Sequence, residues 1–141
     1  MSVTGPILIV DDDADDQEMI ERIISKMNVA NHVRKFFDGE QLLSYLCTTD
    51  EKPFIIICDI NMPIMNGLQL KEQIEKDITL RKKSIPFVYL STTANPQQVK
   101  KAYELTVQGF FVKGQSYDAL KNAIHQIISY WQMSIHIDSS L

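Results

Sequence analysis

The sequence has 141 residues, of which 45% are hydrophobic, and a formal net charge of −4. This size and composition predict one globular domain, and the acidic balance argues against nucleic acid as a direct partner, because no basic stripe is present to neutralise phosphates. The longest apolar runs are well short of the ~20 residues that cross a bilayer, so no membrane association is expected. We expect residues 1–141 to form a single domain with its core over about 6–132 and a flexible tail over 133–141.

The two cysteines, Cys47 and Cys58, fall in a helix-like and a strand-like segment. Two isolated cysteines without a secretory signal are typical of reduced core residues in a cytoplasmic protein. The three histidines are scattered along the chain, and none of them has the spacing of a zinc ligand pair.

The hydrophobic pattern predicts five strands that alternate with five helices. The strands are predicted at residues 6–10, 32–37, 54–58, 87–90 and 110–113. The helices are predicted at residues 14–29, 40–47, 68–78, 96–107 and 117–133, the third through Leu70, Ile74 and Ile78 and the last with a buried stripe from Tyr117 to Trp131. The basic run Arg81-Lys82-Lys83 is predicted to lie in a solvated loop. Strands joined by crossovers of this length predict a doubly wound α/β domain, a parallel sheet with helices on both faces.

Polar side chains stand at the ends of four predicted strands. Asp11-Asp12-Asp13 follows the first strand, Asp59 the third, Ser91-Thr92-Thr93 the fourth, and Lys113 ends the fifth. Each has an ordinary explanation alone, as a helix cap, a turn or a solvated charge. In doubly wound sheets, however, ligands bind beyond the carboxyl ends of the strands, so the joint placement predicts one functional site.

The chemistry of this site follows from its charges. Two carboxylates about 4 Å apart repel by roughly 4 kcal/mol at an effective dielectric of 20, so crowded aspartates need a cation or a proton. Oxygen ligands favour Mg2+. A carboxylate beside Mg2+, a lysine and a hydroxyl is suited to accept a phosphoryl group, because the cations neutralise the transferred oxygens. Asp59 is therefore the predicted nucleophile.

Four motifs in this order resemble the receiver domain of two-component response regulators. They are ILIVDDD (7–13), CDINMPIMNG (58–67), YLSTTA (89–94) and FFVKG (110–114), and the resemblance covers about residues 6–132. It implies a flavodoxin-like, five-stranded parallel sheet in the order 2-1-3-4-5.

The resemblance also implies the role of each site residue. Asp59 would accept the phosphoryl group. Asp12 would bind Mg2+ directly, Asp11 through water, and Asn61 through its backbone carbonyl, with Asp59 completing the metal site.

Three further positions would respond to the phosphoryl group. Ser91 would donate a hydrogen bond to it, Lys113 would form a salt bridge with it, and Phe110 would be the aromatic switch. The family usually has proline after this lysine, often with a cis bond, whereas this chain has Gly114.

The implied protein is a single-domain response regulator, a signalling protein rather than an enzyme, which assists its own phosphorylation and dephosphorylation. Its phosphodonor would be a histidine kinase or a histidine phosphotransfer protein. Its downstream partner would be a protein target that the sequence does not identify.

Three alternative functions fit the sequence less well. A haloacid dehalogenase-like phosphatase would use Asp11 as nucleophile and Asp13 as general acid, but it needs an acidic pair after Lys113 and leaves Asp59 unexplained. A calcium loop opening at Asp11 lacks the required glycine and glutamate. A receiver-like interaction module that is never phosphorylated stays open, and the full set of site residues argues against it.

Overall fold

The computed structural model describes residues 2–136. Within them, strands and helices alternate almost throughout, in the order β1 (Ile7–Val10), α1 (Ala14–Ser25), β2 (Val33–Phe36), α2 (Gly39–Thr48), β3 (Ile55–Cys58), α3 (Gly67–Lys76), α4 (Ile78–Lys82), β4 (Phe87–Ser91), α5 (Pro96–Glu104), β5 (Gly109–Val112) and α6 (Tyr117–Met133).

The strands form one five-stranded sheet in the order β2-β1-β3-β4-β5, and every neighbouring pair is parallel. The predicted fold class and strand order are therefore confirmed. Because the strands are parallel, their carboxyl ends meet at one edge. The register places Val10 beside Cys58 and Ser91 beside Val112, so that the residues which follow these strands are neighbours.

The alternation of side chains along each strand builds a separate core on each face of the sheet. Leu8 and Val10 face α2, α3 and α5, whereas Ile7 and Ile9 face α1 and α6. All four are at most 1% exposed. Strands buried on both faces explain the continuous apolar runs of the sequence.

Capping side chains fix where the helices begin. The Asp13 carboxylate accepts hydrogen bonds from the backbone N–H groups of Asp15 and Asp16 at the start of α1. Asn66 forms a capping box with Gln69 at α3. Each cap satisfies backbone donors that the helix cannot satisfy itself.

The helix predicted over residues 68–78 is in fact two helices. Asp77 ends α3 and its carboxylate caps α4, accepting hydrogen bonds from Thr79 N and Leu80 N. Ile78, predicted to continue the apolar pattern of this helix, instead starts the new helix and is 56% exposed. The prediction of a loop for the basic run 81–83 was also partly wrong, since Arg81 and Lys82 belong to α4.

Two further burial predictions were wrong. Cys47 is exposed on α2, although Cys58 is buried as expected. Tyr117, predicted at the start of the buried stripe, is 37% exposed in the first turn of α6. Both residues lie near a helix end, where the amphipathic pattern constrains burial least.

The predicted tail is described only as far as residue 136. Met133 is the last residue of α6, the His136 ring stacks on Phe54 at 5.1 Å, and its Nε2 lies 2.6 Å from the Trp131 carbonyl oxygen. Residues 137–141 lie outside the described residues, and the flexibility of the segment stays a prediction. Over residues 2–136, no helix combines the length and the apolar character that crossing a membrane requires.

Tyr89 of β4 connects the sheet to the segment that follows the third strand. Its ring is fully buried, and its hydroxyl donates a 2.6 Å hydrogen bond to the Gly67 carbonyl at the start of α3. A side chain at position 67 would collide with the Asp59 carbonyl oxygen, which lies 2.4 Å from the position of a Cβ atom. Gly67 thus allows α3 to start close against Asp59.

Tyr89→Phe should lower the free energy of unfolding by about 1 kcal/mol, because it removes a buried hydrogen bond and little volume. Chemical denaturation provides the measurement. Tyr103→Phe is the matched control, since Tyr103 is 52% exposed and its hydroxyl makes no hydrogen bond with the described residues. Equal, small losses in both variants would mean that the Tyr89 hydroxyl does not stabilise this junction.

Candidate functional site

The strand ends bring three of the predicted carboxylates together. Asp11, Asp12 and Asp59 each offer an oxygen atom, and these atoms all lie within 4.8 Å of one another. Asp11 is 1% exposed and Asp59 is 7% exposed, whereas Asp12 faces the solvent. An all-oxygen group of this kind is the donor set that hard divalent cations such as Mg2+ prefer.

Lys113 is the cation that lies among these carboxylates. Its Nζ atom donates hydrogen bonds to Asp11 Oδ2 at 2.7 Å and to Asp16 Oδ2 at 2.8 Å. Asp59 Oδ2 lies farther away, at 3.9 Å. Burial opposes the charge on the ammonium, but the hydrogen bonds to Asp11 and Asp16 raise the pKa of Lys113 above its ordinary value. The lysine therefore stays charged.

The two buried carboxyl groups are harder to ionise than ordinary aspartates. Burial raises the pKa of Asp59 to about 6, against the attraction of Lys113, and the charge of Asp11 adds to the rise. Burial likewise raises the pKa of Asp11, against its hydrogen bond from Lys113. Asp59 thus lies where a negative charge is costly unless further positive charge arrives.

Ser91 contributes an unused buried hydroxyl. The residue is fully buried at the end of β4, and its Oγ atom has no hydrogen-bond partner among the described residues. Its carbonyl accepts a hydrogen bond from Lys113 N at 2.8 Å, which ties the ends of β4 and β5 together. A buried polar atom without a partner is rare in native proteins and indicates a group that a ligand could satisfy.

The remaining predicted residues, Asn61 and Phe110, have contacts of their own. Asn61 is exposed, and its side-chain oxygen accepts a 3.3 Å hydrogen bond from Gln98 of α5. The role predicted for its carbonyl stays a prediction. Phe110 is half-buried on β5, with its ring centroid 5.8 Å from that of Tyr89. The predicted aromatic switch therefore packs beside the ring that is hydrogen-bonded to α3.

Two residues of α1 that support the site were not predicted from the sequence. Asp16 is the second hydrogen-bond partner of Lys113. Gln17 is 1% exposed, and its Nε2 atom lies within hydrogen-bond distance of the carbonyl oxygens of Ile9, Asp11 and Phe36. Gln17 thereby joins the ends of β1 and β2. A polar residue on the buried face of an otherwise amphipathic helix was the available signal.

Gly114 departs from the family pattern in a way that the backbone explains. Within residues 2–136 no peptide bond is cis, so the bond between Lys113 and Gly114 is trans. Gly114 adopts φ +79°, which proline cannot do because its ring holds φ near −65°. A Cβ atom there would lie 2.5 Å from Ala119 Cβ. The loop after Lys113 is therefore built around glycine.

The phosphatase alternative requires Asp13 as a general acid. The Asp13 carboxylate instead accepts two hydrogen bonds from the first turn of α1, at 2.9 and 3.0 Å. Asp59, which that alternative leaves without a role, is one of the three grouped carboxylates. The geometry therefore favours Asp59 over Asp11 as the reacting group.

Comparisons with known proteins agree on the kind of domain. The family described as "Response regulator receiver domain" matches residues 7–125. The chain is 26% identical over 129 residues to the probable methanogenesis regulatory protein FilR2 of Methanothrix harundinacea, covering 89% of this chain and 82% of FilR2. It is 24% identical over 139 residues to the response regulator Rcp1 of Synechocystis, covering 95% and 93%.

Solved structures show the same fold. The crystal structure of the phosphorylated cyanobacterial phytochrome response regulator RcpA gives a TM-score of 0.85 at 26% identity, covering 96% of this chain and 99% of that chain. The Mn2+-bound form of Rcp1 gives a TM-score of 0.82 at 23% identity, covering 96% and 99%.

The pKa of Asp59 predicts a pH-dependent stability. Its value is about 6 in the folded protein and about 3.9 in an unfolded chain. Between these values the folded state holds the proton that the unfolded state has released, so the free energy of unfolding falls as pH rises through this window. The cost of the buried charge is absent below about pH 4 and complete above about pH 6.

Asp59→Asn should therefore stabilise the metal-free protein by about 1–2 kcal/mol near pH 7.5 and reduce the slope between about pH 4 and 6. Denaturation in chelator across this range measures both effects. The control is Asp50→Asn, which removes one exposed charge and should shift stability by less than about 0.5 kcal/mol. An Asp59→Asn protein with unchanged stability and slope would contradict the explanation.

Proposed function

The chain belongs to the response regulator receiver domain family, whose general mechanism is phosphorylation of an aspartate, and we propose that Asp59 is the phosphoacceptor of this protein. A carboxylate oxygen of Asp59 attacks the phosphorus atom of a phosphohistidine, and a new oxygen–phosphorus bond forms. The phosphorus–nitrogen bond breaks, and the imidazole leaves. The product is an acyl phosphate on Asp59.

One observation carries this proposal. Asp59 is a buried carboxylate within 4.8 Å of the carboxylates of Asp11 and Asp12, and its Oδ2 lies 3.9 Å from the Lys113 ammonium. Asp59 Oδ1 accepts a 2.9 Å hydrogen bond from Ile60 N. Oδ2 makes no hydrogen bond of ordinary length with the described residues and is the oxygen available for attack.

The donor set fits a divalent metal ion. Asp11, Asp12 and Asp59 supply three carboxylates, and Asn61 would add its carbonyl. We expect Mg2+, which prefers oxygen ligands and would offset the charge of the transferred oxygens. Rcp1, which has this fold, has been crystallised with Mn2+.

Ser91 and Lys113 are the groups expected to contact the phosphoryl group. The Ser91 hydroxyl is buried and without a partner among the described residues, so an acceptor oxygen at Asp59 would satisfy it. Movement of the Ser91 hydroxyl toward a phosphoryl group on Asp59 would reshape the segment that leads to α5. The space it leaves would allow the half-buried Phe110 to turn inward. The changed surface would comprise α5, β5 and α6, where a partner could read it.

The expected phosphodonor is a histidine kinase or a histidine phosphotransfer protein, and the expected target is a further protein. We infer that the chain is a phosphoacceptor signalling protein rather than an enzyme with a separate substrate, and that it assists its own phosphorylation and dephosphorylation. A cytoplasmic location and the absence of direct nucleic-acid or membrane binding stay predictions.

The wild-type protein should gain one phosphoryl group when incubated with Mg2+ and acetyl phosphate, because Asp59 Oδ2 makes no hydrogen bond with the described residues, whereas both carboxylate oxygens of Asp11 already accept one. Intact-protein mass spectrometry measures the gain. Asp59→Asn should gain none, whereas the control Asp50→Asn should be labelled like the wild type. Labelling of Asp59→Asn at Asp11 or Asp12 would refute the assignment and revive the phosphatase alternative.

Mg2+ should raise the free energy of unfolding, since a ligand selective for the folded state stabilises it by about 2.7 kcal/mol at 100 times its Kd. Asp12→Ala should remove most of this gain, and Asp15→Ala, which changes an exposed carboxylate of the same loop and helix start, should keep it. Denaturation with Mg2+ or chelator makes the comparison. A wild type that Mg2+ does not stabilise would exclude the metal site.

A further inference from the structure

Lys113 is held on one side of the site, toward α1. An ammonium group has three N–H donors, and two of them are used by Asp11 Oδ2 at 2.7 Å and Asp16 Oδ2 at 2.8 Å. The distance to Asp59 Oδ2 is 3.9 Å, beyond the range of a hydrogen bond. In this state the lysine is hydrogen-bonded to Asp11 and Asp16 and lies only at ion-pair distance from the proposed acceptor Asp59.

Asp16 lies outside the carboxylate group that is proposed to hold the metal ion. It is absent from the group of Asp11, Asp12 and Asp59, whose oxygens converge within 4.8 Å. Nor does its side chain cap α1, because that role belongs to Asp13. The Asp16 carboxylate instead reaches Lys113, which is 97 residues away in the chain, and it is 32% exposed there. Its described hydrogen bonding is thus directed to the lysine.

The two partners of Lys113 differ in what happens to them when the site is filled. Asp11 belongs to the carboxylate group, so a bound cation would draw its charge away from the lysine. Asp16 lies outside that group and would keep its hydrogen bond with Lys113. A phosphoryl group on Asp59, with about −1.5 to −2 charges, would then meet a lysine that is still paired with α1.

We propose that Asp16 competes with the phosphoryl group on Asp59 for Lys113, and thereby sets how strongly this protein retains that group. The inference rests on the proposed function of Asp59 and adds a regulatory residue to it. The contact favours the unphosphorylated arrangement, because its free energy must be given up when the lysine turns to the phosphoryl oxygens. Removing Asp16 leaves the full charge of Lys113 available to them.

Beryllofluoride, used with Mg2+ as a phosphoryl mimic, tests the competition. Asp16→Asn should bind it about five-fold more tightly than the wild type, by analogy with the usual size of coupling between contacting charged residues. The dissociation constant is obtained from amide chemical shifts in a titration at fixed Mg2+. Asp15→Asn is the matched control, since it removes the same charge one residue earlier, from an exposed side chain without a described partner.

A double-mutant cycle separates competition from simple charge repulsion. In the Lys113→Gln background, Asp16→Asn should no longer tighten binding, because no lysine remains to be released. Repulsion alone would give an equal or larger gain there, since the lysine would no longer screen Asp16. That result, weaker binding by Asp16→Asn, or equal gains in Asp16→Asn and Asp15→Asn would each overturn the proposal.

A second measurement keeps the test valid should Lys113→Gln fail to fold. The 15N signal of the Lys113 ammonium in the ligand-free protein should shift in Asp16→Asn and stay in place in Asp15→Asn. An unshifted signal in both would show that the contact does not form. A wild type that binds no beryllofluoride would instead reject the phosphoacceptor assignment, so the failures of the two proposals are distinguishable.

Discussion

The positive charge of Lys113 is the constraint on which the geometry of the site depends. Asp11 is almost completely buried, and an unpaired carboxylate there would carry a large desolvation cost. The 2.7 Å ion pair with Lys113 offsets this cost and fixes the end of β1 relative to the end of β5. Gln17 then joins β1 to β2 through backbone carbonyls. These contacts connect β1 to both edge strands, β2 and β5, at the end of the sheet where the chemistry is proposed.

The same lysine leaves one carboxylate less satisfied than the others. Asp11 and Asp16 take its short hydrogen bonds, whereas Asp59 lies at 3.9 Å with a pKa near 6. At the end of β4, the Ser91 hydroxyl is buried without a partner among the described residues. Both features cost stability in the free protein, and both would be relieved by a metal ion and a phosphoryl group. Destabilising groups of this kind are expected at functional sites, where the requirements of function and stability conflict.

The sequence predicted those parts of the site that follow directly from strand ends. Once the alternation of strands and helices indicates a parallel sheet, Asp11, Asp59 and Lys113 must meet at one edge. The ion pair between Asp16 and Lys113 could not be predicted this way, because it depends on the orientation of α1 about its axis relative to the sheet. The hydrogen bond of Tyr89 to Gly67 likewise depends on tertiary distances. The break at Asp77 was missed because Ile78 continues the apolar period although a new helix begins.

The separation of these residues along the chain has a further consequence. Asp11 and Lys113 are 102 residues apart, with the proposed acceptor Asp59 between them. Asp59 has Asp11 and Lys113 as neighbours only when β1, β3 and β5 are all assembled in one sheet. In an unfolded or partly synthesised chain, Asp59 is one ordinary aspartate among many. Phosphorylation of the proposed acceptor therefore requires the complete fold. The fraction of protein labelled at Asp59 would then also report the fraction of molecules that are folded.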